Sequence, residues 1–422
     1  MKITKLIFNV FLLLNGIFAQ QSLDYFIERA KQNAPQLAEY RYLQQTNQLQ
    51  QKLNRAENSA FKFSISGDYL FAPYFNNHGD IVSTNPSADA YGYDVGITNG
   101  GLYSAQFNLE KNVFNGNLLG ALDKQASILD KTYDYKYELE RHNLEKQVTD
   151  QYLNTARSLQ LARLAAKNVA NLKEQLILTE EMLDKGYAKS QDYLLLKIEL
   201  ENQKANSNNA HNDYHNARLQ LNSICGIKDT SAAEIAPITL GNKQSPASSN
   251  FIQKYRIDSL GIANQQEIFE TKYDPQITLF ANAGLNALEL NRIEHRLGMS
   301  AGISLSLAIL DGNQKSLTRQ QNFINQKNIT EYRDFAKNNL HLQHISSEKR
   351  MKSLKRNLKS IDKQITDYRQ VLDISSDQLR LGNMSMIDYL TLLRGFNELE
   401  KQKIEKETDY QLEINNYNYW NW

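Results

Sequence analysis

Two aspartates share one repeated setting. Asp192 lies six residues past Gly186 and Asp388 six past Gly382, and each opens an Asp-Tyr-Leu run. A carboxylate just beyond a chain-reversing glycine can cap the first turn of a helix. Two histidine pairs, His211/His215 and His341/His344, have spacings that can place both rings on one helix face. No third ligand accompanies either pair, so both read as solvated helix surface and no metal site is assigned. Cys225 is the one cysteine. It excludes an intrachain disulfide and reads as a buried, inert thiol. A Gly-rich phosphate loop, a nucleophile elbow and a metal motif are all missing, which argues against an enzyme and against any cofactor.

The elements that position these residues are written twice. Asn115-Gly116-Asn117 is echoed by Asp311-Gly312-Asn313, Gly186 by Gly382 and Asp192 by Asp388, always 196 residues apart. An ungapped shift over that distance means duplication of one structural unit. Proline is missing between Pro86 and Pro237 and again after Pro275. Such tracts permit long helices, because proline in a helix interior costs about 3 kcal/mol or more. Val148, Ala162, Val169, Leu176 and Leu183 share a seven-residue grid, with Thr155 its weak member; Met351, Leu358, Ile365, Leu372 and Leu379 share another. This spacing predicts coiled-coil seams. Each helix should run from the Gly-Asn pair to the later glycine, roughly 65–70 residues or on the order of 100 Å. Gly186 and Gly382 should reverse the chain. Ser190 or Asp192, and Ser385 or Asp388, should cap the return helices.

Just before each long helix the period changes to two. Phe61, Phe63, Ile65, Tyr69 and Phe71 alternate with Lys62, Ser64, Ser66 and Asp68, with Leu70 as the exception. Tyr103, Ala105, Phe107 and Leu109 alternate with Ser104, Gln106, Asn108 and Glu110. The second copy repeats the pattern over residues 276–285 and 299–307, where Phe280 is the exception. Four strands of about ten residues suit a membrane barrel wall. An ordinary soluble hairpin alternates too, but nothing else in this chain would supply the core for it. Four strands cannot close a barrel, so membrane strands would have to be pooled from several protomers, three of them giving twelve. Lys62, Ser64, Asp68, Gln106 and Glu110 would then face an aqueous lumen. The long connection Ala72–Gly101 and the shorter Asn286–Leu297 would be the outer loops.

Lys2, Lys5, the apolar run Leu6–Leu14 and Ile17-Phe18-Ala19 read as a secretory signal. Its removal takes the formal charge from +1 to −1, which offers nucleic acid no basic field. The chain divides as follows: a signal over 1–19, an N-terminal helix over 20–60, a β-hairpin over 61–114 and a helical hairpin over 115–226. A linker holding Pro237 and Pro246 covers 227–250. Copy 2 supplies a helix over 251–274, a β-hairpin over 275–310 and a helical hairpin over 311–422.

Over essentially the whole mature chain this order resembles the TolC-type outer-membrane efflux proteins. The likeness rests on Ser22-Leu23 to Ala30, Asn33-Ala34-Pro35, the two strand-to-helix turns, and the tips Gly186-x5-Asp192 and Gly382-x5-Asp388. The resemblance implies a fold that is mainly helical with a transmembrane β part, a homotrimer with one twelve-stranded barrel in outer-membrane lipid, and a periplasmic helical tube. It implies a passive conduit in the outer membrane of a Gram-negative bacterium, serving tripartite efflux or type I secretion. Its partners would be a periplasmic adaptor and an inner-membrane pump of the RND or ABC type. It further implies adaptor contact at Gly186, Tyr187, Gly382 and Asn383, and a gate at Asp388 and Asp192. Thr391 stands where the family often has a second acid, and Met384 where a gating arginine can occur. Three Asp388 carboxylates near one axis would repel one another or bind cations.

Overall fold

The computed structural model describes residues 21–71, 73–75, 82–83, 91–92, 103–231, 234–244, 246, 248–287 and 293–422. The segment expected to be a signal, most of the connection after Phe71 and the middle of the loop after Ala287 lie outside the described residues. The chain is mostly helical. Its elements are α1 (Leu23–Asn33), α2 (Pro35–Ser59), β1 (Lys62–Tyr69), β2 (Tyr74–Phe75), β3 (Val82–Ser83), β4 (Tyr103–Asn115), α3 (Leu118–Asp184) and α4 (Ser190–Ile224). They continue as α5 (Gln253–Glu270), β5 (Gln276–Ala287), β6 (Leu297–Ser306), α6 (Gln314–Arg380) and α7 (Met386–Trp420). The long helices α3 and α6 have 67 residues each and the return helices α4 and α7 have 35 each. Among the described residues no helix is long and apolar enough to cross a membrane.

The N-terminal segment, expected as one helix, is two. Pro35 opens α2, and Ala34 before it is extended at φ −69°, ψ 114°. The proline ring disfavours helical geometry in the preceding residue and suits the first position of a new helix.

Two compact units divide the chain. One comprises residues up to Arg41, Asp134–Lys254 and Tyr332–Trp422. Phe26, Val148, Tyr152, Tyr214, Leu221 and Cys225 form one of its cores. Thr155 does not weaken the seam. It is fully buried, and its hydroxyl donates to the Gln151 carbonyl at 2.8 Å and the Ala217 carbonyl at 3.2 Å, which joins α3 to α4. Burial pushes the Cys225 thiol up to about 12, so it stays protonated and unreactive. The chain end packs in this unit. The His142 ring is sandwiched between Tyr419, at 4.7 Å, and Trp422, at 4.9 Å, with Phe251 edge-on to Trp422. His142 Nε2 donates to the Tyr419 carbonyl at 2.8 Å. Burial holds the His142 imidazole below its usual pKa, so the ring stacks as a neutral plane.

The second unit comprises Tyr42–Tyr133 and Tyr255–Glu331 and contains a four-stranded antiparallel sheet in the order β1-β4-β5-β6. Asn47 Nδ2 donates to the Ala126 carbonyl and to Asp130, both at 2.8 Å, and Asn264 donates to the Ala121 carbonyl at 3.0 Å. These buried amides join α2 and α5 to the start of α3. Arg319 Nε meets Glu270 at 2.7 Å and, with Gln266, holds that carboxyl down to about 2.

Candidate functional site

The strand register sorts the side chains into two faces. Phe63, Leu109, Ala281 and Ala301 form one row across the sheet, and Ile65, Phe107, Ala283 and Met299 the next. Phe63 is 78% exposed, Ile65 75% and Met299 89%. A contiguous apolar face left this open on a monomer marks a surface built to be covered. The opposite face carries the row Ser64, Asn108, Asn282 and Ser300, and its neighbour Ser66 and Gln106. Lys62 lies opposite Glu110, and Asp68 accepts from Ser104 Oγ at 3.1 Å. The five residues expected to face a lumen, Lys62, Ser64, Asp68, Gln106 and Glu110, therefore share one face. Phe280 is also on that face, directly across from Gly302. Its ring lies where a Cβ at residue 302 would come within 2.5 Å, so glycine there makes room for it.

The strands feed the helices through turns that need left-handed backbone. Gly116 is at φ +64°, and a Cβ there would strike the Asp274 carboxylate. In copy 2, Asp311 accepts from the amides of Asn313 at 2.9 Å and Lys315 at 2.8 Å, capping α6. Tyr273 donates its hydroxyl to the same carboxylate at 2.5 Å. That bond pushes the Tyr273 phenol up to about 12 and holds Asp311 below the usual carboxylate range.

The tips are built on two identical stops. Gly186 N–H donates to the Leu183 carbonyl and Tyr187 N–H to that of Met182; Gly382 donates to Leu379 and Asn383 to Gln378. Both glycines have positive φ, +77° and +72°. This is the Schellman ending, which satisfies the last helical carbonyls and turns the chain. Tyr187 is 76% exposed at its tip. The restarts differ. In copy 2 Ser385 Oγ accepts from the Asp388 amide at 3.2 Å and donates to Asp388 Oδ2 at 2.5 Å. In copy 1 the cap position is Lys189, which has no acceptor and makes no side-chain cap bond. Neither Ser190 nor Asp192 takes that position: both already lie inside α4, where Asp192 complements the positive helix end. Thr391, exposed on α7, donates to the Ile387 carbonyl at 2.8 Å.

Behind the tips, Leu172, Leu196, Leu200, Met386, Tyr389 and Leu390 form a shared core of the two hairpins, with Met384 against it. Two polar links cross that core, both missed by sequence reasoning. Gln175 donates to the Tyr389 hydroxyl at 2.7 Å. Arg394 donates through Nε and Nη2 to Glu199 Oε2, at 3.1 and 2.5 Å, and the Glu199 side chain is only 5% exposed. Burial opposes its ionisation, but the Arg394 and Gln203 hydrogen bonds outweigh burial and hold it below the usual carboxylate range. Of the two histidine pairs, only His211 and His215 converge. His344 instead packs near Tyr417, while His341 is exposed.

Residues 69–227 match the family model described as outer membrane efflux protein. The fold matches the outer membrane protein VceC from Vibrio cholerae over 94% of this chain and 96% of that one, with a TM-score of 0.69 and 14% identity. It matches the Campylobacter jejuni CmeC outer membrane channel over 94% and 85%, at 0.66 and 14%. The open state of the Neisseria gonorrhoeae MtrE outer membrane channel matches over 96% and 89%, at 0.64 and 13%. The efflux-protein match covers one segment of the chain, and the likeness to solved outer-membrane channels shows their fold. No curated protein sequence matches the chain. The efflux-protein segment begins at the end of β1 and closes just past α4, so it spans the first strand-to-helix turn and the first tip.

Proposed function

We propose that three copies of this chain form an outer-membrane export channel, each giving four strands to a twelve-stranded barrel and two helical hairpins to a periplasmic tube. The observation that carries this reading is the sheet. One face is apolar and exposed, the other is polar, and β1 and β6 are its two edges. Open strand edges cannot rest in lipid, because each unpaired amide or carbonyl there costs several kcal/mol. Closure against identical sheets satisfies them and encloses a wet lumen lined by Lys62, Ser64, Asp68, Gln106 and Glu110. The efflux-family match and the likeness to solved outer-membrane channels support the same reading.

The channel is a passive conduit, not a catalyst. An inner-membrane pump of the RND or ABC type supplies the energy, in a tripartite efflux or type I secretion assembly of a Gram-negative cell. A periplasmic adaptor docks on the tips at Gly186, Tyr187, Gly382 and Asn383. Asp388, with Asp192 and Thr391 nearby on the return helices, lines the pore entrance. Detergent-extracted protein should behave as a trimer and conduct ions across a planar bilayer, and Asp388→Ala should raise its conductance. A lone subunit that leaves the bilayer silent would overturn the trimeric channel; unchanged conductance in the variant would remove Asp388 from the entrance.

A further inference from the structure

His211 and His215 stand one helical turn apart on α4, and their Nε2 atoms approach to 3.0 Å. The rings meet edge to face, with centroids 4.6 Å apart. Two neutral imidazoles can share one proton at that distance. The same distance is also the bite of a chelated metal ion. With metal–nitrogen bonds of about 2.0–2.1 Å, nitrogens so placed subtend roughly 95° at the ion. A tetrahedral ion would hold them about 3.3 Å apart instead. An angle near 90° belongs to adjacent positions of a tetragonal complex, the preference of Cu2+ and Ni2+ among imidazole-binding ions.

We propose that His211 and His215 form a two-nitrogen chelate for a tetragonal divalent transition ion, Cu2+ before Ni2+, with water in the remaining positions. The pair is accessible, with His211 exposed and His215 half-buried. The helix beneath it is anchored, because Tyr214 and Arg218, both buried, fix this turn of α4 in its unit. Arg218 lies over the Phe26 ring at 4.6 Å and binds Asn222 and Gln21. A chelate on a fixed backbone loses little conformational freedom on loading. Among the described residues no group of three or more His, Cys, Asp or Glu side chains converges, so the ion would be held by two protein ligands and exchange readily. Convergence, not spacing, distinguishes this pair from His341 and His344, whose rings make no such approach.

The test is calorimetric titration of the tag-free, full mature protein with CuCl2, NiCl2 and ZnCl2, alongside H211N, H215N and the double variant. Far-ultraviolet circular dichroism checks that the helices are intact. The wild type should take up one Cu2+ per chain at a site absent from the double variant. Each single variant should bind at least about tenfold more weakly. Ni2+ should bind more tightly than Zn2+, and the Cu2+ adduct should give a tetragonal paramagnetic spectrum with coupling to two imidazole nitrogens. A double variant that titrates like the wild type would reduce the pair to a hydrogen bond and overturn the site. Zn2+ binding more tightly than Ni2+ would overturn the geometry assigned to it.

Discussion

The two helical tips are copies that agree on how a helix ends and disagree on how the next begins. Their stops use the same pair of backbone bonds around a glycine of positive φ. Copy 2 restarts on a serine braced by Asp388, whereas copy 1 restarts on Lys189 with no side-chain cap. The polar links across the shared core are one-sided as well. Glu199 corresponds by the 196-residue shift to Gly395, and Arg394 to Ile198. The Glu199–Arg394 pair therefore has no mirror image in the protomer. Duplication preserved what backbone geometry dictates and released what side chains supply. The hairpins became inequivalent partners, joined by an ion pair that only one arrangement can make.

The largest test of this asymmetry removes the ion pair. Arg394→Ala leaves a buried carboxylate without its cation. Breaking a fully buried pair costs roughly 3–5 kcal/mol, but Arg394 is more than half exposed, so about 2 kcal/mol is expected here. Thermal melting followed by circular dichroism reads the loss, and adding Glu199→Gln should return most of it. The pH dependence has a definite sign. The folded Glu199 carboxyl sits below its unfolded value, so its stabilisation is present above the ordinary glutamate range. It is lost as pH falls through the folded pKa, from about pH 5 downward. Wild-type tips should lose more stability on acidification than Glu199→Gln tips. Equal acid sensitivity would show that the pair does not hold the hairpins together.

The second test probes what the copies share. Gly186→Ala and Gly382→Ala each force a side chain into left-handed backbone, at about 1–2 kcal/mol. A Cβ would meet no other atom within 4 Å at either position, so the cost is conformational and should be equal in the two copies. Hydrogen exchange at the ends of α3 and α6 measures it. A clear inequality would mean that the two stops are not the same device.

These contrasts track what was legible in the sequence. The duplication, both chain reversals, the 67-residue helices and the alternating strands follow from local signals, namely glycine, proline and hydrophobic period. Phe280 broke the pattern in sequence because its explanation is Gly302, on the neighbouring strand. Glu199 and Arg394 are 195 residues apart, and His142 and Tyr419 are 277 apart. No periodicity links such pairs; only packing of the hairpins and the chain end brings them together. His211 and His215 show the converse. Their spacing was plain, but the approach of the two ring nitrogens depends on side-chain rotamers that spacing does not determine.

The smallest effects should come from the restarts, and they bear most directly on the comparison. Ser385→Ala removes the hydroxyl that accepts from the Asp388 amide and steadies the Asp388 carboxylate, at about 1 kcal/mol. Amides in the first turn of α7 should then exchange faster, toward the rates of the matching turn of α4. Lys189→Ser makes the reciprocal change. Lys189 already has the extended backbone of a cap, φ −93° and ψ 146°, close to the −80° and 149° of Ser385. A serine hydroxyl there needs no backbone rearrangement to reach the Asp192 amide, and roughly 0.5–1 kcal/mol of local stability should be gained. Slower exchange at residues 190–193 would show that copy 1 lacks only a side chain. Unchanged exchange would locate the difference between the copies in their packing rather than in their caps.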